Sequence, residues 1–284
     1  MLSLHTNNAA LSAQNSISKT QSSLSTSMTR LSTGYRINSA MDDAAGLQIA
    51  SRLKAQTAGM TVAMRNTQNS TSMLQTAEGA LDEVSNMLVR MKDLATQAAD
   101  ASSTADDKTA MQSEYDALGR ELSNVMNNTT FGGNKLLVGG TVAAAMTFQI
   151  GASASETMSV NLSTDLTTLG TQLGSATANY AAAATGTELT GTAANATITK
   201  LETALNSVGK VRSGLGAAAN RLEHVYNNLA NISTNTKAAT GMIMDVDFAS
   251  ESANMTSNQM LLQASTAMLK QSNSMSSMVM SLLQ

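Results

Sequence analysis

The chain has 284 residues and a mass of 29.4 kDa, with 13% charged and 2% aromatic residues, no Trp, no Pro and a formal net charge of −3. Having no Cys and only two His, it excludes disulfides, thiolate metal sites and cysteine nucleophiles, and nearly excludes imidazole catalysis. The slight negative charge gives no basic footprint for nucleic acid. Ala, Leu, Met and Gln favour helix, and without Pro no long helix need break. Lacking large aromatics for a thick core, such a chain buries apolar surface as narrow stripes between helices.

Residues 1–34 carry Leu4, Leu11, Ile17, Leu24, Met28 and Leu31, mostly 3, 4 or 7 apart, which predicts one helix with a narrow stripe. Residues 1–18 hold no Lys or Arg, so this end does not read as a cleavable secretory signal, and uncharged stretches elsewhere are too interrupted to span a membrane. From 44 to 99, Leu53, Met60, Thr67, Leu74, Leu81, Leu88 and Ala95 keep a strict heptad, with Ala77, Val84, Met91 and Ala98 beside it. One helix of that length would run about 80 Å. Thr104 and Asp107 make a capping-box pattern for a third helix, lined by Met111, Tyr115, Leu118, Leu122 and Val125.

After Asn127–Gly133 the period changes. Met146, Phe148 and Ile150 alternate, as do Met158, Val160 and Leu162, which predicts a hairpin within 134–165. Residues 166–195 are rich in Thr, Ala and Gly with weak periodicity and are expected to form a short, surface-exposed, variable excursion. Heptads resume at Ile198 with Leu201, Val208, Leu215, Leu222 and Leu229. At the C-terminal end Phe248, Met255, Leu262 and Leu269 recur every seven residues, beside Leu261, Met268, Met275 and Leu282. The fold expected is mainly α: a long antiparallel coiled-coil or helical bundle with a small β-hairpin, the N- and C-terminal halves nested so that the two end helices pair and the two long inner helices pair. The end helices offer little apolar surface and outward faces of Ser, Asn and Gln. Two readings follow: a helical hairpin docked on the inner bundle, or termini that order only when many copies pack together.

Several stretches resemble bacterial flagellin. Leu31-Ser32-Thr33-Gly34-Tyr35-Arg36-Ile37-Asn38-Ser39-Ala40-Met41-Asp42-Asp43-Ala44-Ala45-Gly46 is similar to its N-terminal signature, and Phe148-Gln149-Ile150-Gly151 to its hairpin. Arg212-Ser213-Gly214-Leu215-Gly216-Ala217, Asp245-Val246-Asp247-Phe248-Ala249-Ser250-Glu251 and the closing Ser281-Leu282-Leu283 resemble its C-terminal half. The chain departs at Ala219, where Gln is frequent, and at Met275-Ser276-Ser277-Met278, where a Pro-containing stretch is common. The likeness is to a compact flagellin lacking large outer domains, with lateral and polar filaments both left open.

That resemblance implies a subunit of the flagellar filament, used for swimming or swarming, that forms a homopolymer outside the cell. It implies export in unfolded form through the flagellar type III apparatus, an export chaperone on the C-terminal segment, and assembly beneath a filament cap onto hook-junction proteins. Residues 1–43 and 236–284 would form the inner-tube coiled coil, through Leu11, Leu24, Leu31, Phe248, Met255, Leu262, Leu269 and Leu282. Residues 44–165 and 196–235 would form the surrounding bundle, with its hairpin linked to filament curvature. Asn38, Asp42 and Asp43 would belong to the spoke between terminal and inner helices. Residues 88–98 are similar to the segment read by the flagellin-sensing Toll-like receptor of a host: Arg90, Leu94, Gln97 and Glu114 match, whereas Val89, Asp93 and Thr96 do not. The same helix face could equally pack between subunits.

Other chemistry finds little support. Asp42-Asp43, Asp106-Asp107 and Asp245/Asp247 lack calcium-loop spacing and are better read as helix-start charges. His5 and His224 lie far apart in sequence, and the Gly214-Leu215-Gly216 run sits inside a helical heptad rather than a phosphate loop. No enzyme, cofactor, metal, nucleic-acid or membrane function is expected. The alternative readings are a hook–filament junction protein, which shares related end helices, and a secreted membrane translocator, which would need a strongly apolar hairpin that is missing.

Overall fold

A computed structural model describes residues 7–182 and 184–282, without the side chains of a few residues after Met275. Leu4, His5 and Leu283, together with the side chain of Leu282, lie outside the described residues. The elements in order are α1 (Asn8–Thr33), α2 (Ala44–Ala99), α3 (Ala105–Asn128), β1 (Thr130–Phe131), β2 (Asn134–Lys135), β3 (Ala145–Gln149), β4 (Thr157–Asn161), α4 (Ser163–Ala176), α5 (Ala193–Met244) and α6 (Phe248–Leu282). Two compact units emerge: an end unit of residues 1–57 and 234–284, and a central unit of residues 58–233. The division falls inside α2, after Thr57, and inside α5, after Ser233.

In the central unit the heptads are the core. Leu74, Leu81, Leu88, Ala95, Ala77, Val84, Met91 and Ala98 of α2 are all buried. They share one cluster with Tyr115, Leu122 and Met126 of α3 and Leu201, Val208, Val211, Leu215, Ala218 and Leu222 of α5. Ion pairs fringe the seams: Lys92 to Glu202 at 2.9 Å and Arg212 to Asp82 at 2.9 Å. Helix α3 opens on the full capping box, Asp107 N donating to Thr104 Oγ1 at 3.2 Å while Thr104 N donates to the Asp107 carboxylate at 3.0 Å.

Strands β3 and β4 pair antiparallel with Phe148 opposite Met158 and Met146 opposite Val160, the inward alternation the sequence carries. Before them β1 and β2 form a second, minimal hairpin across Gly132-Gly133, whose φ values of +57° and +86° suit a primed two-residue turn. Residues 166–195, expected as a short, surface-exposed, variable excursion, also contribute to the core. Leu166, Leu169, Leu173 and Ala176 of α4 are buried in the central core, and so is Leu189. Their spacing of 3, 4 and 3 is a helical stripe that the surrounding Thr and Gly conceal.

The end unit is built differently. Helices α1 and α6 pack antiparallel: Asn7 Nδ2 donates to the Ser272 carbonyl at 3.3 Å, and at the other end Val246 N donates to the Gly34 carbonyl at 3.0 Å. Arg36 N donates to the Met244 carbonyl at 2.6 Å and its guanidinium to the Ile243 carbonyl at 2.9 Å.

Candidate functional site

The end unit carries the features that need explaining. Among the described side chains of α1 and α6, only Ser27 and Glu251 are buried, and both are polar. Leu24, Leu31, Met255, Leu262 and Leu269 are half-buried, whereas Leu11 and Phe248 are exposed. The heptad seam therefore exists, yet one copy of the chain does not close it. Of the large apolar side chains that are exposed among the described residues, only Val62, Val89 and Ile232 belong to the central unit; the other twelve are in the end unit. Exposed apolar surface gathered this way marks an interaction surface.

Next to this seam the loop 34–43 is organised by carboxylates. Asp42 Oδ2 accepts from Ser39 N at 2.9 Å, Asn38 N at 3.1 Å and Ser39 Oγ at 3.1 Å. These bonds, led by the Ser39 amide and helped by Arg30, hold the Asp42 carboxyl below its ordinary value. Asn38 Nδ2 donates to the Tyr35 carbonyl at 2.8 Å, and Asp43 Oδ1 accepts from Gly46 N at 2.8 Å as α2 begins. Arg30 lies between Asp42 at 3.9 Å and Glu251 at 3.8 Å. Asp247 caps α6, accepting from Ala249 N at 3.0 Å and Ser250 Oγ at 2.8 Å, and its carboxyl is likewise lowered, chiefly by Ser250. Asp42, Asp43, Asp107 and Asp247 thus bond the first turns of loops and helices.

In the central unit Arg90 and Glu114 meet: Arg90 Nε and Nη2 both donate to Glu114 Oε1, at 2.8 and 2.6 Å. Both are half-exposed, and Gln97 is exposed on the same side of α2. Leu94 is a correction to the sequence reading. It is 2% exposed and part of the central core, because a residue four positions from Arg90 sits about 40° further round the helix.

One cluster escaped the sequence altogether. On the core side of α3, Gln112 and Asp116 are buried and fasten residues 177–189. Asp116 Oδ1 accepts from Gln112 Nε2 at 2.8 Å and Asn179 Nδ2 at 3.0 Å, and Oδ2 accepts from Gly186 N at 3.0 Å. Glu188 Oε1 takes Ala178 N at 2.7 Å, its Oε2 takes Gln112 Nε2 at 2.9 Å, and Leu189 N donates to Gln112 Oε1 at 2.7 Å. A Cβ at Gly186 would strike all three side chains, so a larger residue there would have to displace this bonded cluster. Tyr115 donates to the Ala176 carbonyl at 2.7 Å; burial first, then Glu188 and Asp116, push its phenol far above the ordinary range. Two polar residues four apart on an otherwise apolar helix face were the available signal.

Among the described residues there is no group of three or more His, Asp or Glu placed to hold a metal, and no helix long and apolar enough to cross a membrane. What the molecule displays is a closed helical scaffold bearing an unclosed apolar seam, the design of a structural protein that binds other chains.

Comparison with known proteins makes this specific. The family described as "Bacterial flagellin N-terminal helical region" matches residues 4–142, and "Bacterial flagellin C-terminal helical region" matches residues 198–283. The chain belongs to the bacterial flagellin family. It is 39% identical to a flagellin of Halalkalibacterium halodurans over 89% of each chain, and 37% identical to flagellin of Bacillus subtilis over 99% of each. It is 34% identical to flagellin A of Vibrio anguillarum over the full length of both. A putative flagellar hook-associated protein of Vibrio parahaemolyticus shares the fold, with a TM-score of 0.54 and 16% identity over 72% of this chain and 99% of that one. Family membership makes this chain a structural subunit of the flagellar filament and not an enzyme.

Proposed function

We propose that the subunit polymerises through its end unit, α1 and α6 forming the inner tube of the filament and the central unit the tube around it. One observation carries this reading: no described apolar side chain of α1 or α6 is buried within a single chain. Neighbouring copies would supply the missing cover, and Ser, Asn and Gln faces pack closely against copies of themselves. Asn38, Asp42 and Asp43 then act as the spoke, since their bonds fix the loop between α1 and α2. Export of the unfolded chain by the flagellar type III system to the outside of the cell fits a sequence without Cys or Pro, which can neither crosslink nor wait on prolyl isomerisation. An export chaperone on the C-terminal segment, a cap and hook-junction proteins complete this route.

The test is polymerisation of the full chain in precipitating salt with sheared filament seeds, followed by electron microscopy and circular dichroism. Long filaments that gain helix as they form are expected, with Leu24→Asn and Leu262→Asn abolishing growth. A chain that is fully helical as monomer and never elongates overturns the reading; short capped assemblies would favour the hook–filament junction alternative.

Recognition of the monomer by a host flagellin sensor belongs to the same proposal. Arg90, Glu114 and Gln97 are the accessible members of the matching set, with Leu94 acting from beneath as core. Arg90→Ala is expected to weaken both filament growth and receptor signalling, and normal motility with normal signalling would refute it.

A further inference from the structure

Helix α6 has two apolar faces, and only one of them meets α1. At 100° per residue, Phe248, Met255, Leu262 and Leu269 share one side of the helix with Glu251, and these are the residues of the α1 seam. Met260, Leu261, Met268 and Met275 fall within an arc of about 100° on the opposite side. Each of these four is between 51% and 69% exposed, and Met278, five full turns on from Met260 along the same face, is 59% exposed. A helix that is apolar on opposed sides is one buried on both. The occupant this face suits is a second copy of the chain, because after Glu251 the only charge on α6 is Lys270, which leaves no charge complementarity for an ionic partner.

Three of those four residues are methionines. We propose that Met260, Met268 and Met275 are a peroxide-sensitive modification site on the unassembled subunit, and that their oxidation blocks filament growth. The inference rests on the assembly reading above. In the step, a thioether sulfur lone pair attacks one oxygen of hydrogen peroxide and the O–O bond breaks. Sulfur is oxidised by two electrons to the sulfoxide, and the departing hydroxide takes up a proton as water. A flexible apolar side chain becomes a polar one that must be buried without a partner, which reverses its contribution to the contact. Burial shields most of the central unit: Met60, Met87, Met91, Met126, Met146 and Met158 are enclosed, and Met64, Met73 and Met111 are half-buried. Assembly then protects what it covers, so the sensitivity belongs to free subunits and to growing ends.

The experiment treats full-length monomer with graded hydrogen peroxide, maps sulfoxides by peptide mass, and measures seeded elongation. Met41 and Met242, 96% and 86% exposed and outside α6, mark the dose in every sample. Expected is a fall in elongation of roughly ten-fold or more once residues 260, 268 and 275 are oxidised. Restoration by the two epimer-specific sulfoxide reductases is expected too, as is resistance in the M260L/M268L/M275L/M278L variant, where volume is nearly conserved. Filaments treated at the same dose should keep the three methionines reduced. The proposal falls if oxidised monomer elongates normally, if inhibition persists in the quadruple-leucine variant, if reductase treatment removes the sulfoxides without restoring growth, or if filaments leave these residues as reactive as monomer does. Failure of untreated protein to elongate at all would instead overturn the assembly reading, and this inference with it.

Discussion

The central and end units are both made of heptad helices, yet they spend their apolar residues in opposite ways. In the central unit Leu81, Leu88, Leu122 and Leu215 are enclosed by the chain that carries them. In the end unit Leu24, Leu31, Leu262 and Leu269 are half-open, while Leu11, Phe248 and Met268 face outward. The same periodicity thus encodes a self-sufficient core in one place and an unfinished one in the other. A heptad says that a stripe will be covered; it does not say by which molecule.

Substitutions can break that contrast. Leu122→Ala in the monomer should cost about 3 kcal/mol, because the leucine is fully buried. Leu262→Ala should cost under about 1 kcal/mol in the monomer while crippling filament growth. Urea melts of both proteins, read beside seeded elongation, decide it: equal monomer losses would erase the distinction. Asp116→Ala comes next. It strands the donors of Gln112, Asn179 and Gly186, for an expected loss of about 2–3 kcal/mol and faster proteolysis within 178–192. Thr104→Ala removes one half of the α3 capping box and should lower stability by about 1 kcal/mol, visible as a small fall in melting temperature. Arg90→Ala should change monomer stability by less than about 0.5 kcal/mol, since its ion pair with Glu114 is half-exposed, so any larger effect on growth belongs to contacts between subunits.

The pH dependence sharpens the comparison most gently. Asp42 and Asp247 in the end unit and Asp100 and Asp107 in the central unit all have carboxyls held below the ordinary 3.8 by hydrogen bonds, chiefly from Ser39, Ser250, Ser102 and Thr104 respectively. A depressed folded-state value means stability that is present above pH 3.8 and lost as pH falls through the depressed values. Stability should therefore be flat on this account near neutrality and decline only in strong acid. Acid titration followed by circular dichroism, with Asp107→Asn showing a shallower decline, checks the sign.

Much of this was legible in the residues. The seams of α2 and α5, the capping box at Thr104 and the β3–β4 alternation each follow from a local pattern of period 3.5, a short motif or period 2. Leucines 166, 169 and 173 were hidden because Thr and Gly dilute the moment of α4, although its spacing is helical. Leu94 was misread because a motif match fixes a residue's identity and not the side of the helix it occupies. Of the Asp116 cluster the local pattern carries only Gln112 and Asp116, four apart on α3; their partners lie more than sixty residues away.

The backbone bridge between residues 34–36 and 243–246, together with the Asn7–Ser272 bonds, gives the molecule a timetable. Helix α1 is made before α6, which starts 240 residues later. At about 5–20 residues per second, the ribosome needs roughly ten to fifty seconds to deliver the partner of α1. Throughout that interval the first helix has nothing to pair with. Its uncharged Ser, Thr, Asn and Gln, and its single sparse stripe, are what allow it to wait without sticking to anything else.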